Sequence, residues 1–305
     1  MTVRIALASL VIVAAAMTYP WQTDTGRIAL GVAAAVVIAV FAWWRGQFVT
    51  TWLARRFAVW RRNHSQARPR PDDVVTALIR VDDPAGTGLS LPLLAGYLER
   101  YGVRCRHVRV TSHDRGGSRT TWVGVTIAAI DNLVALQARS PRLPLAATAE
   151  IVARRLADQL RETGLEATLV DATEAPVVGP AREKWWGVRD DRGYLSAYLV
   201  PTDERLAERL DEVWSQPDEC WTTLELRGAV AEPEAVAACA FRTAEAVRRP
   251  PVAGLVAAPG IQGPLVGGID PNGVAGLAAC GRTLRRGDLE RIGWRIGAVG
   301  ELSRT

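Results

Sequence analysis

Two long apolar runs open the chain. Residues 5–23 and 28–44 contain no charged side chain, and a short polar stretch with Asp24 and Arg27 separates them. A helix needs about 20 apolar residues to cross a bilayer, with about 17 as the lower limit. The ends of both runs carry aromatic rings, which favour the headgroup region: Tyr19, Trp21, Trp43 and Trp44. The pattern predicts a transmembrane hairpin, with helices at about residues 5–23 and 28–44.

The first run also fits a cleaved signal peptide, because Arg4 precedes it and small residues occupy positions 14–16. The side on which the body lies does not depend on this choice. Residues 45–71 hold seven arginines and no acid, and the positive-inside rule places such a flank in the cytoplasm. We therefore expect a membrane protein whose N-terminus, if retained, and whose large C-terminal body are both cytoplasmic.

Aromatic and apolar residues recur at near-helical spacing among these arginines, at Phe48, Trp52, Leu53, Phe57 and Trp60. A basic amphipathic helix of this kind binds anionic lipid, with about 1 kcal/mol from each basic residue near the surface. A simple topology signal with aromatic anchors is an equal alternative, and partner helices are a third occupant of the aromatic face. The candidate membrane or partner residues are Arg45, Trp52, Arg55, Arg56, Trp60, Arg61 and Arg62.

Beyond a proline-containing linker at residues 68–71, the hydrophobic period alternates between two and about 3.6. Strand-like runs and helical runs follow one another in the order β-α-β-β-α-β, which is the ferredoxin-like order. We predict an α+β body that begins with this unit. The predicted strands are residues 74–81, 103–111, 120–128 and 165–171, and the predicted helices are 91–101 and 132–138 with 147–163.

The next stretch is also rich in strand patterns. Residues 184–189 and 194–200 flank an Asp-Asp-Arg-Gly turn, a helix follows to about Trp214, and residues 221–227 are predicted to pair with 235–242. These elements either extend the first sheet or form a sister subdomain. The predicted segments are 1–46 (hairpin), 47–71 (basic flank and linker), 72–175 (first α+β subdomain), 176–249 (second, β-rich subdomain) and 250–305 (Gly/Pro-rich tail, expected to become ordered on a partner).

The charge of the chain is local. The 305 residues carry a formal +5, but residues 1–71 hold nine arginines against the single acid Asp24, a net +8. Residues 72–305 hold 28 basic and 31 acidic side chains, a net −3. A body with this balance lacks the electrostatic footprint of nucleic-acid binding. The basic residues therefore indicate topology, and we predict no nucleic-acid partner.

Lys184 is the only lysine, and it lies in Glu-Lys-Trp-Trp. A P-loop needs a lysine after its glycine to reach the nucleotide phosphates, so the sequence contains no such nucleotide site. Its single lysine also offers little for Schiff-base chemistry. The four cysteines are scattered without a C-x-x-C pair, which favours reduced thiols and a cytoplasmic body.

Two groups of residues are of types that occur in metal or catalytic sites. Cys105, His107, His113 and Asp114 are close in sequence, but residues two apart on a strand do not converge as metal ligands do. A core-facing cysteine with partly solvated histidines is the better interpretation. The acidic doublets, Asp82-Asp83 and Asp190-Asp191, fit a metal-dependent transferase of the cell envelope, yet each doublet adjoins a turn residue, which favours a turn. We predict no catalytic residue, metal or cofactor, and keep the membrane-tethered enzyme as the alternative function.

Five stretches within residues 16–164 carry a family resemblance: AMTYPWQTDTGRIAL, FAWWRGQFVTTW, LPLLAGYLERYGVRCRHVRVT, DNLVALQARSPRLPL and EIVARRLADQLRETG. They resemble the EccE component of mycobacterial ESX (type VII) secretion systems, and most narrowly the short paralogue of the system linked to iron acquisition. The resemblance covers most of the chain through roughly residue 245 and weakens in the Gly/Pro-rich tail. It implies a structural subunit with two N-terminal transmembrane helices and a cytoplasmic domain. It also implies a place at the periphery of an inner-membrane complex with EccB-, EccC- and EccD-like subunits. By the same resemblance, an EccC-like ATPase is expected to drive the export of small helical proteins from that complex. The resemblance supplies no catalytic residues.

Overall fold

The computed structural model describes residues 2–17, 19, 24–41, 43–44, 47–64, 73–140, 144–175 and 181–297. The chain divides into two compact units, residues 1–65 and residues 66–305. The first is helical and holds the predicted hairpin and most of the basic flank. The second is a mixed α+β body built on a large antiparallel sheet.

The described residues of the first unit include three helices. Helices α1 (Thr2–Ala16) and α2 (Asp24–Phe41) pack against each other, and α3 (Val49–His64) packs against α2. The predicted second helix extends to residue 44, but α2 ends at Phe41 because the next residues pair as a short antiparallel ribbon of β1 (Trp43–Trp44) and β2 (Gln47–Phe48). Among the described residues, none of the helices combines the length and apolarity that a bilayer crossing requires. The transmembrane hairpin stays a prediction.

The first half of the body has the predicted order of elements. Its main strands are β3 (Val74–Asp82), β6 (His107–Arg115), β7 (Ser118–Ala128) and β8 (Glu166–Val170), with α4 (Leu91–Ala95) after β3 and α5 (Leu133–Arg139) and α6 (Leu145–Glu162) after β7. A two-stranded ribbon of β4 (Glu99–Arg100) and β5 (Val103–Arg104) precedes β6. The main strands lie in the order β8-β3-β7-β6 with antiparallel neighbours, which is the arrangement of a βαββαβ unit.

The second half continues the same sheet. Its elements are β9 (Arg182–Glu183), β10 (Val188–Asp190), β11 (Gly193–Val200), α7 (Leu206–Trp214), β12 (Cys220–Gly228), β13 (Pro233–Thr243), β14 (Val256–Ala257), α8 (Gln262–Ile269), β15 (Arg282–Thr283) and α9 (Arg286–Arg291). Apart from the two ribbons β1-β2 and β4-β5, the described strands form one eleven-stranded sheet in the order β8-β3-β7-β6-β12-β13-β11-β10-β9, with β14 on β11 and β15 on β13. Of the two arrangements that the sequence allowed, extension of the first sheet is the one observed.

The join between the halves is nearly symmetric. β6 and β12 pair antiparallel with Thr111 opposite Thr223, and the two hydroxyls lie 3.0 Å apart. On either side of this point the strand order is the same: β7 lies between β3 and β6, as β13 lies between β11 and β12, and α4 and α7 follow the first strand of each set in the chain. The body therefore consists of two β-α-β-β units joined through their second strands.

Most of the body's described helices cover one face of the sheet, and α6 shows why they do so. Val152, Leu156 and Leu160 recur every four residues and are buried with the sheet's inward side chains, as a core-facing amphipathic helix requires. The helix ends at Gly164, whose φ of +91° is accessible without a side-chain clash. Helices α4, α7 and α9 contribute to the same core, and α8 contributes to a second core on the opposite face.

Two predicted elements are wrong. The helix predicted at residues 91–101 ends at Ala95, because Tyr101 and Gly102, with φ of +56° and +72°, form a tight turn between β4 and β5. The strand predicted at 184–189 is broken by a turn in which the N–H of Lys184 donates to Gly187 O at 2.8 Å. Trp185 and Trp186 therefore lie in a bend between β9 and β10, not on opposite faces of a strand.

Residues 250–297 of the Gly/Pro-rich tail pack within the body. Helix α8 buries Leu265 and Ile269 against the second face of the sheet. Further on, Trp294 is fully buried in the helix-side core, and its Nε1 donates to Ser112 Oγ at 3.0 Å. The expectation that this segment becomes ordered on a partner is therefore wrong for residues 250–297. The composition of this segment did not predict its packing, because small residues pack closely without producing a hydrophobic period in the sequence.

Candidate functional site

The predicted membrane or partner residues fall on one helix. Trp52, Arg55, Arg56, Trp60, Arg61 and Arg62 all lie on α3, whereas Arg45 lies outside the described residues. The helix contains no acidic residue and has arginines and His64 in its last turn. Cations there interact favourably with the negative end of the helix dipole. The sequence thus forms a local helix with a strongly positive surface.

An apolar stripe runs along the exposed side of α3. Leu53, Phe57 and Trp60 are spaced by four and three residues and are 53%, 62% and 55% exposed, a spacing that places side chains on one face. The rings of Phe57 and Trp60 stack with centroids 5.6 Å apart, and Trp60 contacts the His64 ring at 4.9 Å. The prediction named Trp60 but left Leu53 and Phe57 outside the candidate set, although their spacing was visible in the sequence.

The arginines of α3 divide between two sides of the helix. Arg56 and Arg61 are exposed, and Arg55 and Arg62 are half-buried. The Arg56 guanidinium lies 4.9 Å from the ring centroid of Trp52, which is itself half-buried. The exposed side of α3 therefore combines a hydrophobic stripe with two exposed positive charges.

The first acidic doublet builds a turn. Asp83 is 3% exposed and accepts from the backbone N–H groups of Thr87 (3.0 Å) and Gly88 (2.7 Å) and from the Thr87 hydroxyl. Burial acts to raise the pKa of the Asp83 carboxyl, but these donors outweigh it and hold the pKa below its usual value. Its neighbour Asp82 pairs with Arg80 at 3.3 Å. The interpretation of this doublet as a turn is confirmed.

The second doublet also has a structural partner. Asp190 Oδ1 accepts from the backbone N–H of Arg192 at 2.9 Å and from Nη1 of Arg242 at 2.8 Å. Burial acts to raise the pKa of Asp190, and the donation from Arg242 and Arg192 lowers it by more. Asp191 lies in the exposed turn. Within the described part of the chain, no group of three or more potential ligands among His, Cys, Asp and Glu is placed to hold a metal ion.

The cysteine and histidines near β6 lie apart from one another. Cys105 belongs to the helix-side core, where burial raises its pKa to about 12. His107 lies on the other face, and burial, assisted by the positive charge of Arg109, lowers its pKa to about 3. His113 stacks on Trp221 at 3.8 Å and bonds to Glu219 at 3.0 Å. Both of these histidines are buried, so the expectation of partly solvated histidines is wrong, while the core-facing cysteine is confirmed.

Arg109 is the charged residue that sequence reasoning missed. It is 2% exposed and donates from Nη2 to Glu225 Oε2 at 2.7 Å across the join between β6 and β12. Its guanidinium also donates to three backbone carbonyls of the loop after α8, at Asp270, Gly273 and Ala275. The available signal was a charge in the middle of a strand pattern. Its role is to fasten the C-terminal loop to the centre of the sheet.

Comparisons with known proteins decide the family. Residues 116–200 match the family described as "Putative type VII ESX secretion system translocon, EccE". The chain is 46% identical over 274 residues to the ESX-3 secretion system protein EccE3 of Mycolicibacterium smegmatis, covering 89% of this chain and 88% of that protein. It is 41% identical over 312 residues to its namesake in Mycobacterium tuberculosis, covering 97% and 93%. The chain belongs to the EccE family.

A relative named for a different ESX system matches a smaller part of the chain. An ESX-2 secretion system protein EccE2 of Mycobacterium tuberculosis is 29% identical over 108 residues, which covers 32% of this chain and 20% of that protein. The predicted resemblance to EccE is confirmed, and the two relatives that cover most of the chain are named ESX-3 secretion system protein EccE3.

Proposed function

We propose that this chain is a non-enzymatic structural subunit of a type VII (ESX) secretion complex in the bacterial inner membrane. The observation that carries the proposal is the similarity along most of the chain to proteins named as ESX-3 secretion system components. The acidic doublets are also consistent with it, because Asp83 stabilises a turn and Asp190 forms an ion pair with Arg242. A membrane-tethered enzyme gains no support from either doublet.

In this proposal the charge-free runs at residues 5–23 and 28–44 cross the membrane as a hairpin. The N-terminus and the body lie in the cytoplasm, and the arginines of residues 45–71 supply the positive flank that sets this orientation. The segment boundaries at 46, 71, 175 and 249 are part of the same proposal. The hairpin would bind neighbouring membrane helices, and the body would brace the cytoplasmic side of the complex.

The body is suited to a bracing role because its two halves share one continuous sheet. The pairing of β6 with β12, the Arg109–Glu225 ion pair and the loop fastened by Arg109 cross the centre of the sheet. Bending there would break buried polar contacts, which are costly to leave unmade. The partners would be EccB-, EccC- and EccD-like subunits, with the ATPase activity supplied by the EccC-like subunit.

Affinity purification from native membranes tests this function. A tagged full-length chain, extracted in a mild non-ionic detergent, is expected to bring the other membrane subunits with it in fixed proportion. The matched control carries the same tag on a chain that lacks residues 1–46, and we expect it to lose most of them. Recovery of the full-length chain alone, under detergent in which the other subunits remain assembled, would overturn the proposal.

A further inference from the structure

The exposed face of α3 has the layout of a helix that lies on a membrane. At about 100° of rotation per residue, Leu53, Phe57 and Trp60 fall within an arc of about 60°. On the same scale, Arg56 lies about 40° beyond Trp60 on one side of the stripe, and Arg61 lies about 40° beyond Phe57 on the other. An apolar stripe bordered by cations allows the rings to enter the headgroup boundary while the guanidinium groups stay in the polar layer.

We propose that α3 lies in the plane of the cytoplasmic membrane surface and binds anionic phospholipids through this face. The inference rests on the proposed function, because it requires residues 1–44 to anchor the chain in the bilayer. Leu53, Phe57 and Trp60 insert at the headgroup boundary. Arg56 and Arg61 bind lipid phosphates, as guanidinium groups do through paired hydrogen bonds.

Charge and position select a bilayer as the occupant. Residues 45–64 contain five arginines and no acid, which matches the negative potential of a surface rich in anionic lipid. The helix begins at Val49, five residues after the second predicted membrane run ends. That short connection keeps α3 at the membrane, so binding is intramolecular and needs only modest affinity. Tryptophan and arginine are the residues that favour this layer.

The two sides of α3 supply a matched pair of variants. Arg56→Gln/Arg61→Gln removes two charges from the exposed face, and Arg55→Gln/Arg62→Gln removes two from the half-buried side. Both change the net charge of the chain equally. One arginine near an anionic surface favours binding about fivefold, so the first pair should lower the ratio of docked to undocked helix roughly 30-fold. The second pair should have a much smaller effect.

Full-length chain in nanodiscs allows the measurement. A fluorophore is attached to Leu53→Cys in the stripe or to Ala58→Cys on the other side, in a Cys280→Ser background, since the other three cysteines are buried and Cys280 is exposed. The discs contain phosphatidylcholine alone or with phosphatidylglycerol, and brominated acyl chains quench any label that reaches the bilayer. We expect strong quenching at position 53 and weak quenching at 58, only in anionic discs, and a decrease as salt is added.

Three results would overturn the proposal: equal quenching at both positions, equal quenching in neutral and anionic discs, or an equal loss in both arginine pairs. If the label at position 53 is not quenched, and Leu53→Cys in the purified complex is shielded from a thiol-reactive reagent, the face binds a protein partner instead. Co-purification of the other subunits with the same labelled chains separates this test from that of the proposed function. Subunits recovered without quenching would reject the lipid-binding helix and leave the secretion role intact.

Discussion

Arg109 and Glu225 lie opposite each other at the join between the two halves of the sheet, with Nη2 and Oε2 2.7 Å apart and the side chains 2% and 0% exposed. A buried ion pair stabilises a fold little when compared with a well-packed apolar pair, but losing one partner strands a charge in the interior. Here the arginine also binds three loop carbonyls. The pair therefore links the sheet centre to the C-terminal loop.

Glu225→Gln is expected to lower the free energy of unfolding by about 3–5 kcal/mol, because it leaves Arg109 without a counter-charge. Arg109→Met/Glu225→Leu should recover part of this loss. Full recovery is not expected, since the carbonyls of Asp270, Gly273 and Ala275 lose their donor. Urea denaturation measures the stability, and limited proteolysis at residues 270–277 reports the loop.

The exposed pair of Arg161 and Asp158 on α6 provides the control for that series. Arg161→Gln should change stability by no more than about 0.5 kcal/mol, because solvent screens such a pair. A loss as large as that of Glu225→Gln would contradict the assignment of the effect to burial.

Trp294→Ala is expected to cost about 3–5 kcal/mol, as the loss of a fully buried aromatic ring does. The substitution also removes the edge-to-face contact with Trp214, at 5.3 Å, and the indole hydrogen bond to the Ser112 hydroxyl, which keeps only its contact with Thr121 Oγ1 at 2.9 Å. Trp294→Phe should cost less, since most of the packing remains. Trp60→Ala, which removes a 55% exposed ring, should cost about 0.5 kcal/mol or less. Equal losses in Trp294→Ala and Trp60→Ala would contradict the buried position.

Stability should fall with acidification through His107. The folded state holds its pKa at about 3, whereas an unfolded histidine titrates near 6.5. The unfolded state thus binds the extra proton first, and the free energy of unfolding falls as the pH drops from about 6.5 towards about 3, by up to about 1.4 kcal/mol per pH unit. The pKa of His113 is also lowered by burial, which adds a contribution of the same sign. His107→Gln should flatten the slope measured by denaturation between about pH 7 and about pH 5, and an unchanged slope would contradict this origin.

Substitutions in the acidic doublets should change the stability of the fold and leave the export of substrate proteins unchanged. Asp83→Ala removes the acceptor for two backbone N–H groups and should cost about 1–3 kcal/mol, whereas Asp191→Ala in the exposed turn should cost about 0.5 kcal/mol or less. Export of substrate proteins should continue in Asp82→Ala and Asp191→Ala cells at the level of the unmodified chain. Loss of export in both, with the complex still assembled, would favour the enzyme alternative.

Local patterns in the sequence predicted local structure well. The period of α6 and its terminal Gly164 identified that helix almost to the residue, because burial on one face and a left-handed glycine both leave sequence signals. The helix predicted to run through Tyr101 failed, since a left-handed conformation at a tyrosine leaves no such signal. The prediction for the tail failed for a related reason: α8 is short and three of its eight residues are glycine, so the residues that it buries leave no hydrophobic period in the sequence.

In the candidate site, too, the features that depend on neighbouring residues could be predicted and those that depend on distant residues could not. The stripe of α3 depends on residues within eight positions of one another, so the flank could be found from spacing alone. The partners Arg109 and Glu225 are 116 residues apart, and nothing in one sequence indicates which distant strand lies beside another. Asp83 is intermediate: its position before a glycine-containing stretch correctly favoured a turn, but the sequence did not show which backbone N–H groups its carboxylate binds.

The position of β12 in the chain has a consequence for synthesis. The βαββαβ unit at residues 74–170 leaves the ribosome before residues 220–228 are made, so β6 is at first an unpaired sheet edge. Such an edge invites pairing with a wrong strand, and a charge projecting from it discourages this. Arg109 supplies that charge until Glu225 arrives to neutralise it. We expect Arg109→Met to increase aggregation during expression beyond its effect on stability, which sedimentation of newly made chains would measure.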